Sequence, residues 1–226
     1  MIEEANKPGL TELEADNRRL RRLLDQRDAP SELRHRLRNT LAMLRVIIRQ
    51  SAETNRPIED YVAHLEDRID SLARAQSAID THGEIDLHTL LAEELLYYNA
   101  LEGERVLVAG PGLDLQPRPG QVFALAVHEL AVNSIEHGIL GGGSGRVDVS
   151  WLVDSEGADA WLIFAWKETG MAELSEPSRF GFGNVVLTRM LAYELSAETD
   201  LAFEADGLRC TIRLPLSERI GRIKGA

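Results

Sequence analysis

Residues 128–138 read HELAVNSIEHG, and they lie near the end of a longer apolar segment. The spacing of the apolar residues predicts one helix over residues 119–137. On a helix Glu129 and Asn133 share one face, because residues four apart lie about one turn apart. Two oxygen-bearing side chains placed in this way can bind a hard cation such as Mg²⁺. A Glu–Asn pair on a solvated helix face needs no ligand, however, so the pair alone leaves both interpretations open.

Helical and β-rich segments alternate on both sides of this helix. The patterns predict helices at residues 86–99 and 183–195, and strands at residues 105–109, 146–153, 160–166, 200–204 and 208–214. The dipeptide Asp206-Gly207 is a hairpin-turn signal between the last two strands. Helices in one group beside a largely antiparallel sheet predict a two-layer α/β sandwich, and an α+β fold class for the chain.

Two apolar stripes at helical spacing precede this domain. They are Leu33, Leu37, Leu41, Leu44 and Ile48, and, after a turn around Asn55-Arg56-Pro57, Ile58, Tyr61, Leu65, Ile69, Leu72 and Ile79. Two helices joined by a short turn predict an antiparallel hairpin. A lone hairpin would expose too much apolar surface, so we expect two copies to form a dimeric four-helix bundle.

The N-terminal residues carry a third pattern, the 3-4-3-4 spacing of a coiled-coil seam. Its positions are Leu10, Leu13, Asn17, Leu20 and Leu24. A polar residue such as Asn17 within a seam sets the register of a parallel dimer, although two heptads also fit a solvated, frayed helix. The predicted domains are a coiled coil at residues 1–27, the hairpin at 28–82, the α/β domain at 83–217 and a C-terminal tail at 218–226.

Composition excludes several classes of protein. The 226 residues include 25 Lys and Arg against 37 Asp and Glu, which gives a formal net charge of −12 and argues against a nucleic-acid binder. The sequence has no apolar run long enough to cross a bilayer and no signal peptide at its start, so we expect a cytoplasmic protein without membrane insertion. Cys210 is the only cysteine; we expect it to be buried and inert.

The first predicted hairpin helix carries LRHRLRN at residues 33–39. At about 100° per residue, His35 and Asn39 lie opposite the apolar stripe and one turn apart. We therefore expect His35 to be exposed, with Asn39 able to orient a group attached to it, although an ordinary surface histidine would show the same geometry. Arginines in a stretch free of acidic residues can receive phosphate here: Arg34, Arg36, Arg38, Arg45 and Arg49.

Two further segments place glycine beside polar residues. Trp166-Lys167-Glu168-Thr169-Gly170 ends a predicted strand, where a carboxylate beside glycine can accept a hydrogen bond from a ligand. Arg179-Phe180-Gly181-Phe182-Gly183 precedes a predicted helix whose N-terminal amides can hold an anion. A single Gly-x-Gly is a weak signal, and the sequence has neither a dinucleotide-binding fingerprint nor a P-loop.

Taken in order, the four segments resemble those of the HWE-type sensor histidine kinases, over nearly all of residues 31–215. His35-Arg36-x-x-Asn39 resembles the phosphoacceptor box, and residues 128–133 resemble the N box. Trp166-x-Glu168 resembles a variant G1 box, and Gly181-Phe182-Gly183 resembles the G2 box. Four blocks in this order are a specific signal, whereas any one of them alone is not.

The resemblance implies a kinase that autophosphorylates His35 from Mg-ATP, with Arg36 and Asn39 as neighbouring catalytic residues. It implies an ATP-binding domain of the GHKL (Bergerat-like) superfamily, with Mg²⁺ on Asn133 and Glu129. The implied ATP-binding residues are His128, Glu129, Asn133, Trp166, Glu168, Gly170, Arg179, Gly181 and Gly183. The implied partners are a second copy of the chain and a response-regulator receiver domain that takes the phosphoryl group on aspartate.

The sequence departs from the family pattern in three places. Met171-Ala172 stands where a Gly-Gly-Pro run is common, Glu136 where lysine is frequent, and Phe180 where a second basic residue is frequent. The last two changes remove positive charge near the expected phosphates, which favours weaker ATP binding. Alternatives are a histidine phosphotransfer protein with a degenerate nucleotide domain, or a dimeric adaptor for receivers. We expect a sensor domain to be missing from this chain or supplied by a separate protein.

Overall fold

The chain divides into two compact units between Ile69 and Asp70. The computed structural model describes residues 14–19, 31–52, 57–100, 102–103, 105–142, 144–156, 159–171 and 181–225. The division falls within a helix, α2 (Ile58–His82), and not after residue 82 as the sequence pattern predicts. The last turns of α2 therefore belong to the same unit as the α/β domain.

The first unit contains helix α1 (Ser31–Ala52), the first turns of α2 and helical residues 14–19. Leu41 and Ile48 of the predicted stripe are buried, and Met43 and Ile47 widen the buried face of α1. Between the two helices, the guanidinium of Arg68 on α2 donates a hydrogen bond of 3.1 Å to the hydroxyl of Ser51 on α1. The predicted hairpin turn lies mostly outside the described residues.

Asn17 is the one position of the predicted coiled-coil seam that the described residues include. Its side chain is buried, and its amide nitrogen donates a hydrogen bond of 3.2 Å to the backbone carbonyl of Leu41. The polar group of Asn17 thus has a partner within its own chain. Leu10, Leu13, Leu20 and Leu24 lie outside the described residues, and the coiled coil and the dimeric bundle stay predictions.

The second unit alternates helices and strands. In chain order after α2 they are β1 (Ile85–Asp86), α3 (Leu87–Tyr97), β2 (Val106–Ala109), β3 (Leu113–Leu115), α4 (Pro117–Glu136), a 3-10 turn (Ile139–Gly141), β4 (Arg146–Glu156), β5 (Asp159–Thr169), α5 (Phe182–Asn184), a π-helical turn (Val185–Met190), α6 (Leu191–Leu195), β6 (Glu198–Glu204), β7 (Gly207–Pro215) and β8 (Gly221–Ile223).

The main sheet has five strands in the order β2-β4-β5-β7-β6. Strand β2 runs parallel to β4, and the other neighbours are antiparallel. Alternate residues of β5 are buried, namely Leu162, Phe164, Trp166 and Glu168. Because side chains alternate between the two faces of a sheet, these four point to the same, covered face. Strand β5 is longer than predicted, and Glu168 lies on the same buried face as its three core residues.

The hairpin between β6 and β7 differs by one residue from the predicted turn. Glu204 pairs with Gly207, so the two turn residues are Ala205 and Asp206, not Asp206 and Gly207. Gly207 has a φ of +156°, and a side chain there would overlap the backbone carbonyl of Glu168. Glycine at this position therefore allows the close approach of β7 to β5 as well as the turn.

A small second sheet, in the order β1-β3-β8, is a feature that the sequence patterns miss. Leu115 pairs with Ile85 on one side and with Gly221 on the other. The ammonium of Lys224 lies 2.8 Å from the carboxylate of Asp86 and 3.2 Å from that of Asp114, which joins all three strands. Residues 218–226, expected to be a tail, thus contribute a strand, because strands of two or three residues are too short for a periodic signal.

Helices cover one face of the main sheet. Nearly every residue of α4 from Pro119 to Ser134 is buried, which explains why the segment is apolar on all sides. Phe123 of α4 meets Phe164 of β5 edge to face, with ring centroids 5.1 Å apart. The predicted two-layer α/β sandwich is confirmed. None of the described helices is long and apolar enough to cross a membrane.

Candidate functional site

Helix α4 meets the short helix α5 at Gly183. A methyl group at Gly183 would lie 3.0 Å from Oε2 of Glu129 and 3.2 Å from Nδ2 of Asn133. Glu129 and Asn133 thus share one face of α4, as their spacing predicts, and that face looks onto Gly183. The structure brings together residues 50 or more positions apart in the sequence. A π-helical turn, a feature often found at functional sites, begins two residues after Gly183.

Glu168 is a buried carboxylate at the end of β5, with 1% of its surface exposed. Its Oε1 accepts a hydrogen bond of 3.1 Å from the indole nitrogen of Trp166, and its Oε2 accepts one of 3.1 Å from the backbone N–H of Ile139. Both donors are neutral. A side chain at Gly138 would overlap the Glu168 carboxylate, so glycine is required there for close packing.

Trp166 is fully buried and contacts the candidate site through Glu168. The resemblance led us to expect it among the ATP-binding residues. Its strand neighbours are Val149 on β4 and Cys210 on β7, both in the core. An indole in this position orients a carboxylate and fills the core, and it presents no described surface to a ligand.

The loop between α4 and β4 is held by an arginine that the sequence analysis did not select. The guanidinium of Arg105 donates to the backbone carbonyl of Gly145 at 3.3 Å and also to that of Ile139. Ile139 is thus bonded through its carbonyl to Arg105 and through its N–H to Glu168. Gly170, which follows β5, has a φ of +101° and packs against Gly145, a conformation that favours glycine.

His128 does not share the side of α4 that faces Gly183. Its side chain is buried, and Nδ1 lies 2.8 Å from Oε1 of Glu94 on α3 and 3.2 Å from the hydroxyl of Tyr98. This placement differs from the expected ATP contact. The reason is helical geometry: His128 and Glu129 are adjacent, so their side chains leave the helix about 100° apart.

Glu94 is a functional candidate that sequence reasoning missed. Its Oε2 accepts hydrogen bonds from the hydroxyl of Ser71 at 3.1 Å and from the guanidinium of Arg74 at 2.6 Å, both on α2. We call Ser71, Arg74, Glu94 and His128 the Glu94 junction. A signal was present in the sequence, since Glu94 falls at helical spacing from Leu90 and Leu91, on the buried face of α3.

The pKa of Glu94 lies below its ordinary value. Burial alone would raise the pKa of this carboxyl, but the hydrogen bonds and charges of His128 and Arg74 together outweigh burial. The anion is therefore the favoured form of Glu94. By contrast, burial raises the pKa of the Cys210 thiol to about 12, which confirms the expectation of an inert, buried cysteine.

The predicted phosphoacceptor lies on α1 in the first unit. His35 and Arg36 fall within the helix, but their side chains lie outside what the structure describes. Asn39 is half-buried one turn later, and Arg38 is exposed. Of the remaining predicted site residues, Gly181 is exposed and Gly183 is buried, while Arg179 falls outside the described residues.

Comparison with known proteins gives consistent matches. Residues 32–112 match the family model described as HWE histidine kinase. A blue-light-activated histidine kinase of Erythrobacter litoralis is 32% identical over 218 residues, which are 92% of this chain and 58% of that protein. The chain therefore spans less than two thirds of the length of this curated relative.

Two solved structures show the same fold. A blue-light activated histidine kinase of Erythrobacter litoralis has a TM-score of 0.62 at 18% identity, over 86% of this chain and 63% of that one. The structure of a histidine kinase domain from a kinase of the same organism has a TM-score of 0.55 at 19% identity, over 93% and 95%. The matching family model and the curated relative support the resemblance of the four ordered sequence blocks to an HWE-type histidine kinase, and the two solved structures show the shared fold.

Proposed function

We propose that this chain is a protein-histidine kinase that transfers the γ-phosphoryl group of Mg-ATP to His35 and then to an aspartate of a response-regulator receiver domain. The observation that carries the proposal is the meeting of Glu129 and Asn133 with Gly183, which joins the N box to the G2 box. Similarity to histidine kinases supports the same reaction.

The residues around Gly183 fit a nucleotide with its cation. Glu129 and Asn133 offer a carboxylate and an amide oxygen, which are the ligands that Mg²⁺ prefers. Gly183 packs closely against both side chains, because a methyl group there would lie within 3.2 Å of each. When bound, Mg²⁺ would neutralise the charge of the phosphates during transfer. Gly181 and Gly183 let the backbone approach the phosphates, and Arg179 adds a positive charge.

Glu168 is the proposed acceptor for the amino group of adenine, with Gly170 permitting a close approach. Its two described partners are neutral N–H groups, and each carboxyl oxygen has a further lone pair to offer another donor. In this proposal Trp166 acts by orienting Glu168. His128 acts through the Glu94 junction, and no contact with ATP is assigned to it.

The chemistry at His35 needs an unprotonated imidazole nitrogen. That nitrogen forms a bond to phosphorus while the bond between phosphorus and the bridging oxygen of ADP breaks, and ADP leaves with the electron pair. A histidine with an ordinary pKa of about 6.5 is mostly unprotonated at neutral pH. Arg36 neutralises and Asn39 orients the transferred group. A carboxylate oxygen of the receiver then displaces the imidazole from phosphorus.

The proposed assembly is a homodimer. Residues 1–27 would form the coiled coil, and residues 28–82 the dimerising hairpin that carries His35. Residues 83–217 would bind the nucleotide, with residues 218–226 completing the small sheet beside it. The input signal would come from a sensor domain or a separate sensor protein.

Incubation with radiolabelled ATP and Mg²⁺ tests the proposed reaction. We expect label on the protein that is labile in acid and stable in base, as a phosphorus–nitrogen bond is. His35→Gln should abolish the label and keep nucleotide binding, whereas His88→Gln, a half-exposed histidine on α3, should keep both. A wild-type protein that binds ATP but acquires label only from a phosphorylated partner would overturn the kinase proposal and favour the phosphotransfer alternative.

Gly183→Ala tests the nucleotide site separately. The added methyl group would press on Glu129 and Asn133, so we expect ATP affinity to fall about tenfold or more, as is common when a packed site loses its fit. Gly181→Ala adds the same group where no described atom lies within 4 Å, and should weaken binding less. Equal effects of the two variants in a nucleotide titration would contradict this location.

A further inference from the structure

The two oxygens of Glu94 bind two different helices. Oε2 accepts from Ser71 at 3.1 Å and from Arg74 at 2.6 Å, and both residues lie on α2. Oε1 lies 2.8 Å from Nδ1 of His128 on α4. A single carboxylate on α3 thus ties the end of the hairpin helix to the helix that carries Glu129 and Asn133.

Further contacts hold the residues of the Glu94 junction in place. The guanidinium of Arg74 lies 4.2 Å above the ring of Tyr97, and the hydroxyl of Tyr98 lies 3.2 Å from Nδ1 of His128. Two residues after Arg74 on α2, the side-chain amide of Gln76 accepts a hydrogen bond of 2.7 Å from Gln121 on α4. Helices α2 and α4 are therefore linked at two places, by the Glu94 junction and by the hydrogen bond between Gln76 and Gln121.

Burial makes the junction sensitive to the loss of any one member. Glu94 is 3% exposed and His128 is 1% exposed. A buried carboxylate anion such as that of Glu94 is stable only while a cation such as Arg74 remains beside it. A movement of α2 that withdraws Arg74 would leave Glu94 with less compensation, and Glu94 also holds His128. The junction can thus pass a displacement of α2 on to α4.

We infer that Glu94 is a positioning residue that couples the hairpin helix α2 to the nucleotide site, with His128 as its contact on α4. The inference rests on the proposed function, because it specifies how the nucleotide site is regulated. His128 directly precedes Glu129, so a change in the Glu94–His128 contact reaches the residues that face Gly183. The coupling runs entirely within the second unit, through residues 71 to 133.

Separate measurement of ATP affinity and of the labelling rate at saturating Mg-ATP tests the inference. Arg74→Met keeps an unbranched side chain and removes the guanidinium with its charge. We expect the rate to fall about tenfold or more while ATP affinity stays within about twofold, because alignment and not binding is lost. Arg222→Met removes the exposed ion pair with Glu84 in the same unit and should change neither quantity.

Substitution of His128 provides the rescue. His128→Leu removes the polar contact with Glu94 and should lower both rate and affinity, because this contact lies on α4 itself. Asparagine places its amide nitrogen near the position of Nδ1, so His128→Asn should recover most of both. A merely structural role predicts that Arg74→Met lowers rate and affinity together, and that asparagine is no better than leucine.

Hydrogen exchange keeps the inference separate from the proposed function. Relative to Arg222→Met, Arg74→Met should speed amide exchange in residues 70–82 of α2 and also in α4 around His128. If wild-type protein acquires no label but exchange rises in both helices, the proposed kinase activity fails and the coupling stands. Unchanged exchange in α4 overturns the inference, whatever the labelling result.

Discussion

Glu94 and Glu168 are both buried carboxylates of the second unit, but they differ in their partners. Glu94 is bonded to the cation of Arg74 and to His128, and its pKa is lowered. Glu168 is held by the indole of Trp166 and the backbone N–H of Ile139, neither of which carries a charge. The first arrangement neutralises the carboxylate within the protein. The second orients a carboxyl group through neutral donors alone.

The comparison extends to the elements that hold the two groups. Glu94 connects three helices, so its partners lie far apart in the sequence and move with their helices. Glu168 lies on a strand in the register of a five-stranded sheet, where Val147 and Gly207 fix the adjacent backbone. This difference agrees with the two proposed roles, transmission of movement for Glu94 and recognition of a ligand for Glu168.

The largest effect on stability is expected at Trp166. Trp166→Ala removes a fully buried side chain and one donor to Glu168, and should lower the free energy of unfolding by about 3–5 kcal/mol. Trp166→Phe keeps most of the volume and removes the N–H, and should cost about 1–2 kcal/mol. Denaturant titrations of both variants separate packing from orientation of Glu168. Equal losses would show that the hydrogen bond, and not the volume, dominates at this position.

A smaller loss is expected when the charge beside Glu94 is removed. Arg74→Met should lower the free energy of unfolding by about 2 kcal/mol, less than for a fully buried pair because the Arg74 side chain is 24% exposed. The control Arg222→Met, whose side chain is 68% exposed, should stay within about 0.5 kcal/mol of wild type. If the two variants unfold at the same denaturant concentration, Arg74 does not compensate the buried charge of Glu94.

The smallest change is expected in the dependence of stability on pH. Folding lowers the pKa of Glu94 from its ordinary value of 4.5. The Glu94 anion therefore stabilises the folded state above pH 4.5, and this stabilisation is lost as the pH falls through the folded pKa. Glu94→Gln cannot titrate, so the stability difference between wild type and this variant should narrow below pH 4.5. Urea titrations of both proteins at a series of acidic pH values measure this difference in the free energy of unfolding. A difference that is constant with pH would contradict the lowered pKa.

Sequence reasoning predicted the main elements of the α/β domain and the face shared by Glu129 and Asn133. These features follow from periodicity within one element, which depends only on nearby residues. The meeting of this face with Gly183 was implied by the family resemblance, and the structure supplies the distances. The strands β1, β3 and β8 were missed, because two or three residues carry no period.

The role of His128 shows what local patterns cannot provide. A histidine next to Glu129 in a recognised block suggested a common task, yet the side chain points to Glu94 on another helix. The partner lies 34 positions away, and only tertiary packing brings the two together. Arg105 is a similar case, since its bonds to Ile139 and Gly145 depend on the folding of the loop between α4 and β4.

The site of phosphorylation tests the central claim most directly. Purified protein is incubated with Mg-ATP, digested without acid treatment, and the modified residue is located by mass spectrometry. The account predicts a phosphoryl group on the imidazole of His35, present in wild type and in His88→Gln and absent when Asn133→Ala abolishes nucleotide binding. A phosphoryl group on another residue, or none on folded protein that binds Mg-ATP, would contradict it.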